Sequence, residues 1–369
     1  MSDQTVGYAW TKDGHLIFSQ SDSASSTNSV NLWYLMVDPD SGVHSGEPVR
    51  MTGWDNMIVD PGGISSDGKR LIVAKSHVWQ DAMVGELKEN GTRLEKQARL
   101  TSSDSQNYPN SWFRDNKSIL ITSDRAGGRL QLYRHHIDQD VDEPFVSGQE
   151  DEASAELTPD GKTVLFWASP HSTATSNFPP QTLMRVSADG GASQRILETS
   201  GGPAYAFHCA ARPGGGCVLS LLDKDQLVFY SLDPMKGQGN ELARTKIGEP
   251  GNWISWALSP DGKRIALSGS SELDDRMRIL ELGTSTQTDW PIKMGAFGAS
   301  WSVDGRAAYI AGQEKDYDLL RLDLSGKTQL LLRLGRPHWL TSPVTSPDGR
   351  YLAFTEQSIE ANAFLFEND

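Results

Sequence analysis

The stretch Ser346-Pro-Asp-Gly-Arg-Tyr-Leu-Ala-Phe354 decides the fold, because close copies of it recur along the whole chain. In this pattern Pro presets φ for a tight turn, Asp hydrogen-bonds to the backbone beyond it, and Gly accepts a positive φ. The apolar residues that follow have the pattern of a buried strand. Each copy therefore predicts a hairpin turn that leads into a core strand.

The pattern occurs eight times, with turn positions 43 to 54 residues apart. The other seven copies are Thr11-Lys-Asp-Gly-His-Leu-Ile-Phe18, Ser65-Ser-Asp-Gly-Lys-Arg-Leu-Ile-Val73, Phe113-Arg-Asp-Asn-Lys-Ser-Ile-Leu-Ile121, Thr158-Pro-Asp-Gly-Lys-Thr-Val-Leu-Phe166, Ala211-Arg-Pro-Gly-Gly-Gly-Cys-Val-Leu219, Ser259-Pro-Asp-Gly-Lys-Arg-Ile-Ala-Leu267 and Ser302-Val-Asp-Gly-Arg-Ala-Ala-Tyr-Ile310. This spacing suits four short strands and their turns, which make one propeller blade. The sequence therefore predicts an all-β, eight-bladed β-propeller of four-stranded antiparallel blades, with almost no helix.

The two ends of the chain bear on how the ring of blades closes. The eighth repeat has a hairpin and a third strand, Ala363-Phe-Leu-Phe366, but no fourth strand before Asp369. Only a few residues precede the first strand near Val6–Trp10. We expect the last blade to be closed by the N-terminus or left three-stranded, unless upstream sequence supplies the strand. An open outer edge would favour pairing with another chain.

We predict one β-propeller domain over residues 1–369. Its blades are expected near residues 6–52, 59–101, 108–148, 152–199, 203–247, 252–292, 297–334 and 341–369.

Composition narrows the class of protein and its partners. The chain has 35 Gly and 18 Pro among 369 residues, which is typical of a turn-rich β protein. Its net charge of −14 repels phosphate backbones and argues against nucleic acid as a partner. No apolar run approaches the roughly 20 residues that span a bilayer, so we do not expect a membrane-embedded chain. The N-terminal stretch Met1-Ser-Asp-Gln-Thr5 lacks the features of a signal peptide.

Cys209 and Cys217 are the two cysteines and flank a glycine-rich turn. Two are too few for a disulfide framework or a thiolate zinc site. We expect two buried thiols, with a disulfide across the hairpin as the alternative.

The Ser-Pro-Asp-Gly hairpins, together with Ser123-Asp-Arg-Ala-Gly-Gly-Arg-Leu-Gln-Leu-Tyr133, resemble the repeats of TolB-like, WD-like (PD-repeat) β-propellers. The stretches 341–357 and 360–364 are similar to the C-terminal propellers of bacterial membrane-anchored serine/threonine kinases and winged-helix regulators. This resemblance implies a sensor or interaction module within a longer membrane-anchored or regulatory chain. It implies a periplasmic or extracytoplasmic location for such a sensor, and a cytoplasmic one otherwise. The fifth repeat departs from the pattern, with Pro213-Gly-Gly-Gly216 at its turn.

Tryptophans and turn aspartates recur at fixed places in the repeat. Trp10, Trp112 and Trp301 each stand three residues before the turn Asp, and Trp256 stands five before it. We favour packing between neighbouring blades over an aromatic-lined channel. We also assign the turn aspartates a local backbone role rather than a metal site. We therefore predict no bound metal and no cofactor.

Loops expected on one face of the propeller carry more than turn-forming residues, and binding residues favour loops on a rigid scaffold. Exposed Trp and Arg beside His or Asp suit contacts with proteins, peptides or sugars. The predicted ligand-binding residues are Trp54, Asp55, His77, Trp79, Asp81, Tyr108, Trp253, Asp275, Arg276, Arg336, His338 and Trp339.

The sequence lacks the motifs of a nucleophile elbow, a phosphate-binding loop and a zinc protease helix. We therefore predict a non-catalytic binding or sensor scaffold for a protein, peptide or glycan ligand at the funnel face, and we assign no catalytic residue. The alternative is a propeller enzyme, a lyase or glycan hydrolase, whose acid and base residues converge on the axis. Its candidate residues are His77, Asp81, Asp275 and His338.

Overall fold

The computed structural model describes residues 7–21, 29–54, 57–101, 105–171, 180–199, 206–248, 254–269, 273, 275–284 and 286–367. These residues belong to two compact units. Unit 1 contains the described residues up to Trp79 and those from Ser358 onward, and unit 2 contains those from Gln80 to Gln357. Each unit is described by itself, and the prediction that residues 1–369 form one domain stays a prediction.

The first seven strands precede the regular part of the fold. They are β1 (Tyr8–Trp10), β2 (His15–Ser21), β3 (Val30–Val37), β4 (His44–Arg50), β5 (Ile58–Ile64), β6 (Arg70–Lys88) and, after a 3₁₀ turn at Glu89–Gly91, β7 (Arg93–Arg99).

Twenty strands then form five separate four-stranded antiparallel blades. Blade 1 is β8 (Asn107–Trp112), β9 (Ser118–Ala126), β10 (Arg129–His136) and β11 (Val141–Val146). Blade 2 is β12 (Asp151–Leu157), β13 (Thr163–Ser169), β14 (Thr182–Ser187) and β15 (Gln194–Glu198). Blade 3 is β16 (Ala206–Cys209), β17 (Cys217–Asp223), β18 (Gln226–Asp233) and β19 (Gly237–Lys246). Blade 4 is β20 (Ser255–Leu258), β21 (Arg264–Ser268), β22 (Arg276–Glu281) and β23 (Gln287–Pro291). Blade 5 is β24 (Gly295–Trp301), β25 (Ala307–Gln313), β26 (Tyr317–Asp323) and β27 (Thr328–Leu334). The last two strands are β28 (Trp339–Thr345) and β29 (Tyr351–Glu367).

The prediction of eight blades is wrong, because five four-stranded blades are found. The repeats with turns at Asp13, Asp67 and Asp348 do not form separate blades. The reason lies in β6 and β29, which run for 19 and 17 residues. Apart from Gly85 near the end of β6, neither strand contains the Gly or Pro that would turn the chain back after a few residues.

In unit 1, the strands β1 to β4 pair successively and antiparallel. A single parallel bridge joins β3 to β5 at Val30 and Ile58, and β5 pairs with the first part of β6. Val59 and Val73 are completely buried between these strands. Unit 1 thus has its own small core.

In unit 2, β28 pairs with the first part of β29, and the last part of β6 pairs with β7. The Leu87 N–H donates to the carbonyl of Arg350 at 2.7 Å, where β6 meets the start of β29. Residues 80–99 therefore supply outer strands beside β28 and β29. Neither predicted ending, closure by the extreme N-terminus or a three-stranded last blade, is found among the described residues, where β1 pairs with β2.

The innermost strands of the five blades and β28 form a ring in unit 2. Each of β8, β12, β16, β20, β24 and β28 contacts the next, and β28 contacts β8 again. Hydrogen bonds that cross between neighbouring inner strands are Ala155 N to Asn110 Oδ1 (3.0 Å), Trp301 Nε1 to the Ala257 carbonyl (3.0 Å), Thr345 N to Ser300 Oγ (3.2 Å) and Trp112 Nε1 to the Val344 carbonyl (3.1 Å). These strands therefore surround one axis.

The repeated turn has the geometry that its residues dictate. In blade 4, the Ser259 hydroxyl donates to the Asp261 carboxylate at 2.6 Å, and that carboxylate accepts the Lys263 N–H at 3.2 Å. Gly262 has a φ of 73°, which favours glycine. The turn aspartate acts on its own backbone, as predicted.

Tryptophans of the inner strands pack between blades. Trp112, Trp256 and Trp301 are only 3 to 4% exposed. Each indole N–H donates a hydrogen bond to an atom of a neighbouring blade or of β28. Burial of such rings contributes about 3 kcal/mol or more each. Trp10 in unit 1 is different, because it is 46% exposed.

The expectation of two free thiols is wrong, since Cys209 and Cys217 form a disulfide. The two residues lie directly opposite each other in the register of β16 and β17. The hairpin itself brings the sulfur atoms together. Among the described residues, no helix has the length and apolar character needed to cross a bilayer.

Candidate functional site

A cluster of aromatic and charged side chains lies in unit 2 where inner strand β28 begins. We call it the rim. It consists of Asp81, Arg99, Tyr317, Arg336, His338, Trp339 and Glu356. It lies at the end of β28 opposite the Asp348 turn. Four of these residues, Asp81, Arg336, His338 and Trp339, were predicted from the sequence as ligand-binding residues.

The aromatic part of the rim is a stacked pair. The rings of Trp339 and Tyr317 lie 5.6 Å apart with an angle of 15° between their planes. Tyr317 is buried and lies 6.2 Å from the ring of Phe297, whereas Trp339 remains 40% exposed. Trp339 therefore offers a flat apolar surface held in place from behind.

Ion pairs flank this surface. His338 Nδ1 lies 2.9 Å from Glu356 Oε1, and Arg99 lies 2.7 Å from Asp81. Burial raises the pKa of Asp81, against the effect of Arg99, and the negative charge of Glu356 adds to the rise. The rim thus combines an exposed indole with carboxylates that already have cationic partners.

Three further predicted residues lie on other blades of unit 2. Tyr108 lies near the start of β8, where burial raises its pKa to about 12 and its hydroxyl donates to Gln106 at 2.8 Å. Asp275 and Arg276 lie at the start of β22 and pair with each other at 3.2 Å. These residues are not part of the rim.

Three predicted residues belong to unit 1. The rings of His77 and Trp79 lie 5.0 Å apart on β6. Trp54 lies beneath the ammonium group of Lys75, 4.5 Å from its ring centre, and beside Phe366. The remaining two, Asp55 and Trp253, lie outside the described residues. A binding role for any of the twelve stays a prediction.

Two cavities lie along the axis of unit 2, with volumes of about 260 and 160 Å³. Six residues line both cavities, so the two adjoin, and we call them together the axial channel. The six residues are Asn110, Glu156, His208, Ala299, Pro343 and Val344. None of the ten predicted residues that the structure describes lines either cavity, but Phe297 lines the larger one and contacts Tyr317 of the rim.

A histidine–carboxylate pair stands in this axial channel. His208 Nδ1 is hydrogen-bonded to Glu156 Oε1, and the Cys209 N–H donates to Glu156 Oε2 at 2.6 Å. The edge of the His208 ring meets Trp256, with ring centres 4.4 Å apart. The carboxylate fixes the orientation of the imidazole, and Nε2 has no hydrogen bond to any residue that the structure describes. An imidazole held in this way can act as a hydrogen-bond acceptor or a general base.

Sequence reasoning missed Glu156 and His208. They lie on neighbouring inner strands, 52 residues apart, and neither belongs to a recognisable motif. The one available signal is their place in the repeat, a few residues before the turn, where an inner-strand side chain can face the axis.

Unit 1 has a cavity of its own of about 650 Å³. Its lining includes the apolar residues Ile17, Met51 and Phe366 and the charged residues Lys12 and Glu367. No predicted binding residue in the described part of the chain lines this cavity.

Comparison with known proteins identifies the fold. No protein-family profile matches the chain, and no curated protein matches its sequence. The solved structure of TolB from Acinetobacter baumannii matches with a TM-score of 0.51 and 14% identity, over 95% of this chain and 82% of that one. The chain therefore has a TolB-like β-propeller fold, and at this identity the similarity extends to the fold alone.

Two propeller enzymes match more weakly. Puromycin hydrolase has a TM-score of 0.46 and 13% identity, over 95% of this chain and 58% of its own. Oligogalacturonate lyase from Vibrio parahaemolyticus has a TM-score of 0.43 and 14% identity, over 87% and 96%. These values are too low to bear on function.

Proposed function

We propose that the chain is a non-catalytic scaffold that binds a protein, peptide or glycan at the rim of unit 2. The observation that carries this proposal is Trp339, which is 40% exposed and stacked on the buried Tyr317. Exposed Trp, Tyr and Arg side chains supply most of the energy of recognition sites. An indole fixed by a second ring loses little conformational entropy on binding.

The ion pairs at the rim support a binding surface of fixed shape. Asp81 lies 2.7 Å from Arg99, and Glu356 lies 2.9 Å from His338. These contacts hold the side chains around Trp339 in one arrangement, so less conformational entropy is lost when a ligand binds.

Trp339→Ala tests the proposal. Wild-type protein is immobilised and used to select from a phage-displayed peptide library and a glycan array, and the best ligand is measured against the variant. We expect affinity to fall at least about tenfold, because the central aromatic surface is lost. Leu330→Ala is the control, since Leu330 is similarly exposed, at 46%, but lies on outer strand β27. Equal binding by wild type and Trp339→Ala would contradict the proposal.

The axial channel favours a second candidate, a glycan lyase or hydrolase. Here His208, oriented by Glu156, would act as general base or acid on a sugar hydroxyl or ring carbon. A panel of oligosaccharides would be incubated with the protein, and new reducing ends and unsaturated products measured. If cleavage is lost in His208→Gln and kept in Trp339→Ala, the chain is an enzyme and the scaffold proposal is wrong.

The context of the chain also stays a proposal. A place in a longer membrane-anchored kinase or winged-helix regulator, and the compartment that follows from it, rest on the resemblance of residues 341–357 and 360–364.

A further inference from the structure

The acidic and basic side chains at the rim are unequally paired. Each carboxylate there, and that of the adjoining Asp318, is engaged by a basic side chain. The pairs are Asp81 with Arg99 (2.7 Å), Glu356 with His338 (2.9 Å) and Asp318 with Arg333, which donates from two nitrogens at 2.7 Å each. Each carboxylate of this group thus already has a basic partner.

Arg336 differs from the other basic side chains of the rim, because no carboxylate of a described residue pairs with it. Its side chain is exposed and has no hydrogen bond or ion pair to another described residue. It lies close enough to Tyr317 for its positive charge to lower the pKa of the phenol, against the stronger rise that burial causes. Arg336 also stands three residues before Trp339, in a turn where the His338 N–H donates to the Gly335 carbonyl at 3.2 Å, so an exposed guanidinium lies near the stacked rings of Tyr317 and Trp339.

We infer that the rim binds an acidic peptide segment of a partner protein, with a carboxylate on Arg336 and a neighbouring apolar side chain against Trp339. This inference rests on the proposed function and names the ligand class for the same site. A guanidinium presents two parallel N–H groups that match a carboxylate. An aromatic face beside an Arg is also the composition of protein-interface hot spots.

A neutral glycan fits these groups less well. Sugar hydroxyls need hydrogen-bond acceptors as well as donors, and the rim carboxylates are held by Arg99, His338 and Arg333. The groups of the rim that remain open to a ligand are the Arg336 guanidinium and the apolar face of Trp339. An acidic residue next to an apolar one presents the complementary pair.

The experiment compares two capped tripeptides of equal size, Ac-Asp-Phe-Asp-NH₂ and Ac-Asn-Phe-Asn-NH₂. Binding to the full chain is followed by the indole N–H signals in NMR spectra, with the Trp339 signal assigned by its loss in Trp339→Ala. We expect the acidic peptide to bind about fivefold more tightly at low salt, the upper range for an exposed ion pair. The preference should vanish at about 1 M salt, where charges are screened within a few ångströms.

Variants at Arg336 decide the role of its charge. Arg336→Gln should abolish the preference, and Arg336→Lys should keep part of it because the charge remains without the planar fork. Arg306→Gln is the matched control, since Arg306 is likewise exposed but lies in the β24–β25 turn. Thermal unfolding of each variant confirms that the fold is kept.

Each remaining outcome has a definite meaning. Equal affinity for the two peptides, with both lost in Trp339→Ala, would overturn the acidic ligand but keep the proposed function. Binding of glucuronate oligosaccharides that depends on Arg336, without peptide binding, would replace the peptide with an acidic glycan. Failure of the acidic peptide to bind wild type at millimolar concentration would overturn the inference. If ligands from the phage or glycan selection bind wild type and Trp339→Ala with equal affinity, the proposed function itself would be overturned.

Discussion

Single residues of this chain illustrate how position within a repeat gives the same amino acid different roles. Trp112 and Trp301 are buried between blades and hydrogen-bonded, whereas Trp339 is 40% exposed at the start of β28. The sequence predicted the packing role, because these indoles precede the turn at a fixed spacing. It also singled out Trp339, because that indole stands beside Arg336 and His338 in a loop.

Glu152 is a buried carboxyl that forms no ion pair with any other residue in the described part of the chain. It is 5% exposed, its Oε2 atom has no hydrogen-bond partner, and burial raises its pKa to about 7 from an ordinary value of 4.5. A nearby N–H from Gly148 only partly offsets this. The folded state therefore favours the protonated form.

We predict that Glu152→Gln stabilises the protein at pH 8. For a carboxyl whose pKa is raised on folding, the contribution to stability is fully present below pH 4.5 and is lost as the pH rises to about 7. The neutral amide avoids this loss, so the variant should be more stable at pH 8 by about 2 kcal/mol. Urea unfolding at pH 4.5 and pH 8 measures it. A difference between variant and wild type that is the same at both pH values would contradict the assignment.

At the scale of strands and turns, the sequence predicted the individual turns but not the number of blades. Each Asp-Gly turn that was expected within the five blades is present, because Ser, Asp and Gly satisfy the backbone locally. The number of blades was wrong for the opposite reason. Apart from Gly85, β6 and β29 lack the Gly or Pro of a turn, so each strand runs on where the regular repeat spacing led us to expect a hairpin.

A buried ion pair ties blade 4 to blade 3. Arg278 on β22 is 6% exposed and donates to both oxygens of Asp289 on β23, each at 2.8 Å. It also donates to the Thr245 hydroxyl and to the carbonyl of Lys246 on β19, at 3.1 and 2.7 Å. One guanidinium thus joins three strands.

Asp289→Ala should destabilise the protein by about 3 kcal/mol, because it leaves Arg278 buried without its carboxylate. Replacing both partners, in Arg278→Met with Asp289→Leu, should cost much less. Arg276→Ala is the control, since Arg276 is exposed and pairs with Asp275 on the surface. Urea unfolding at pH 7 measures all three. A double variant as unstable as Asp289→Ala would show that the pair itself stabilises the blades.

At the scale of unit 2, stability depends on closing the ring of inner strands. β28 contacts both β24 and β8, so it joins the two ends of the run of blades. The Trp112 indole donates to the Val344 carbonyl and stacks on Tyr351, with ring centres 5.8 Å apart. Sequence alone could predict a propeller from its repeat, but it could not predict which strands pair beyond β28 and β29, since residues 80–99 come from far along the chain.

Trp112→Ala should weaken this junction selectively. Removing a buried indole costs about 3–5 kcal/mol, and the loss falls on the contact that joins β8 to β28. Amide hydrogen exchange should therefore accelerate first in β28 and the start of β29, because local opening there no longer requires the Trp112 contact to be broken. Trp301→Ala is the matched comparison, since Trp301 is equally buried and donates to Ala257 between blades 4 and 5. Its faster exchange should centre on β20 and β24. If both variants instead accelerate exchange equally in every blade, the ring opens as one cooperative unit and β28 has no special role in its closure.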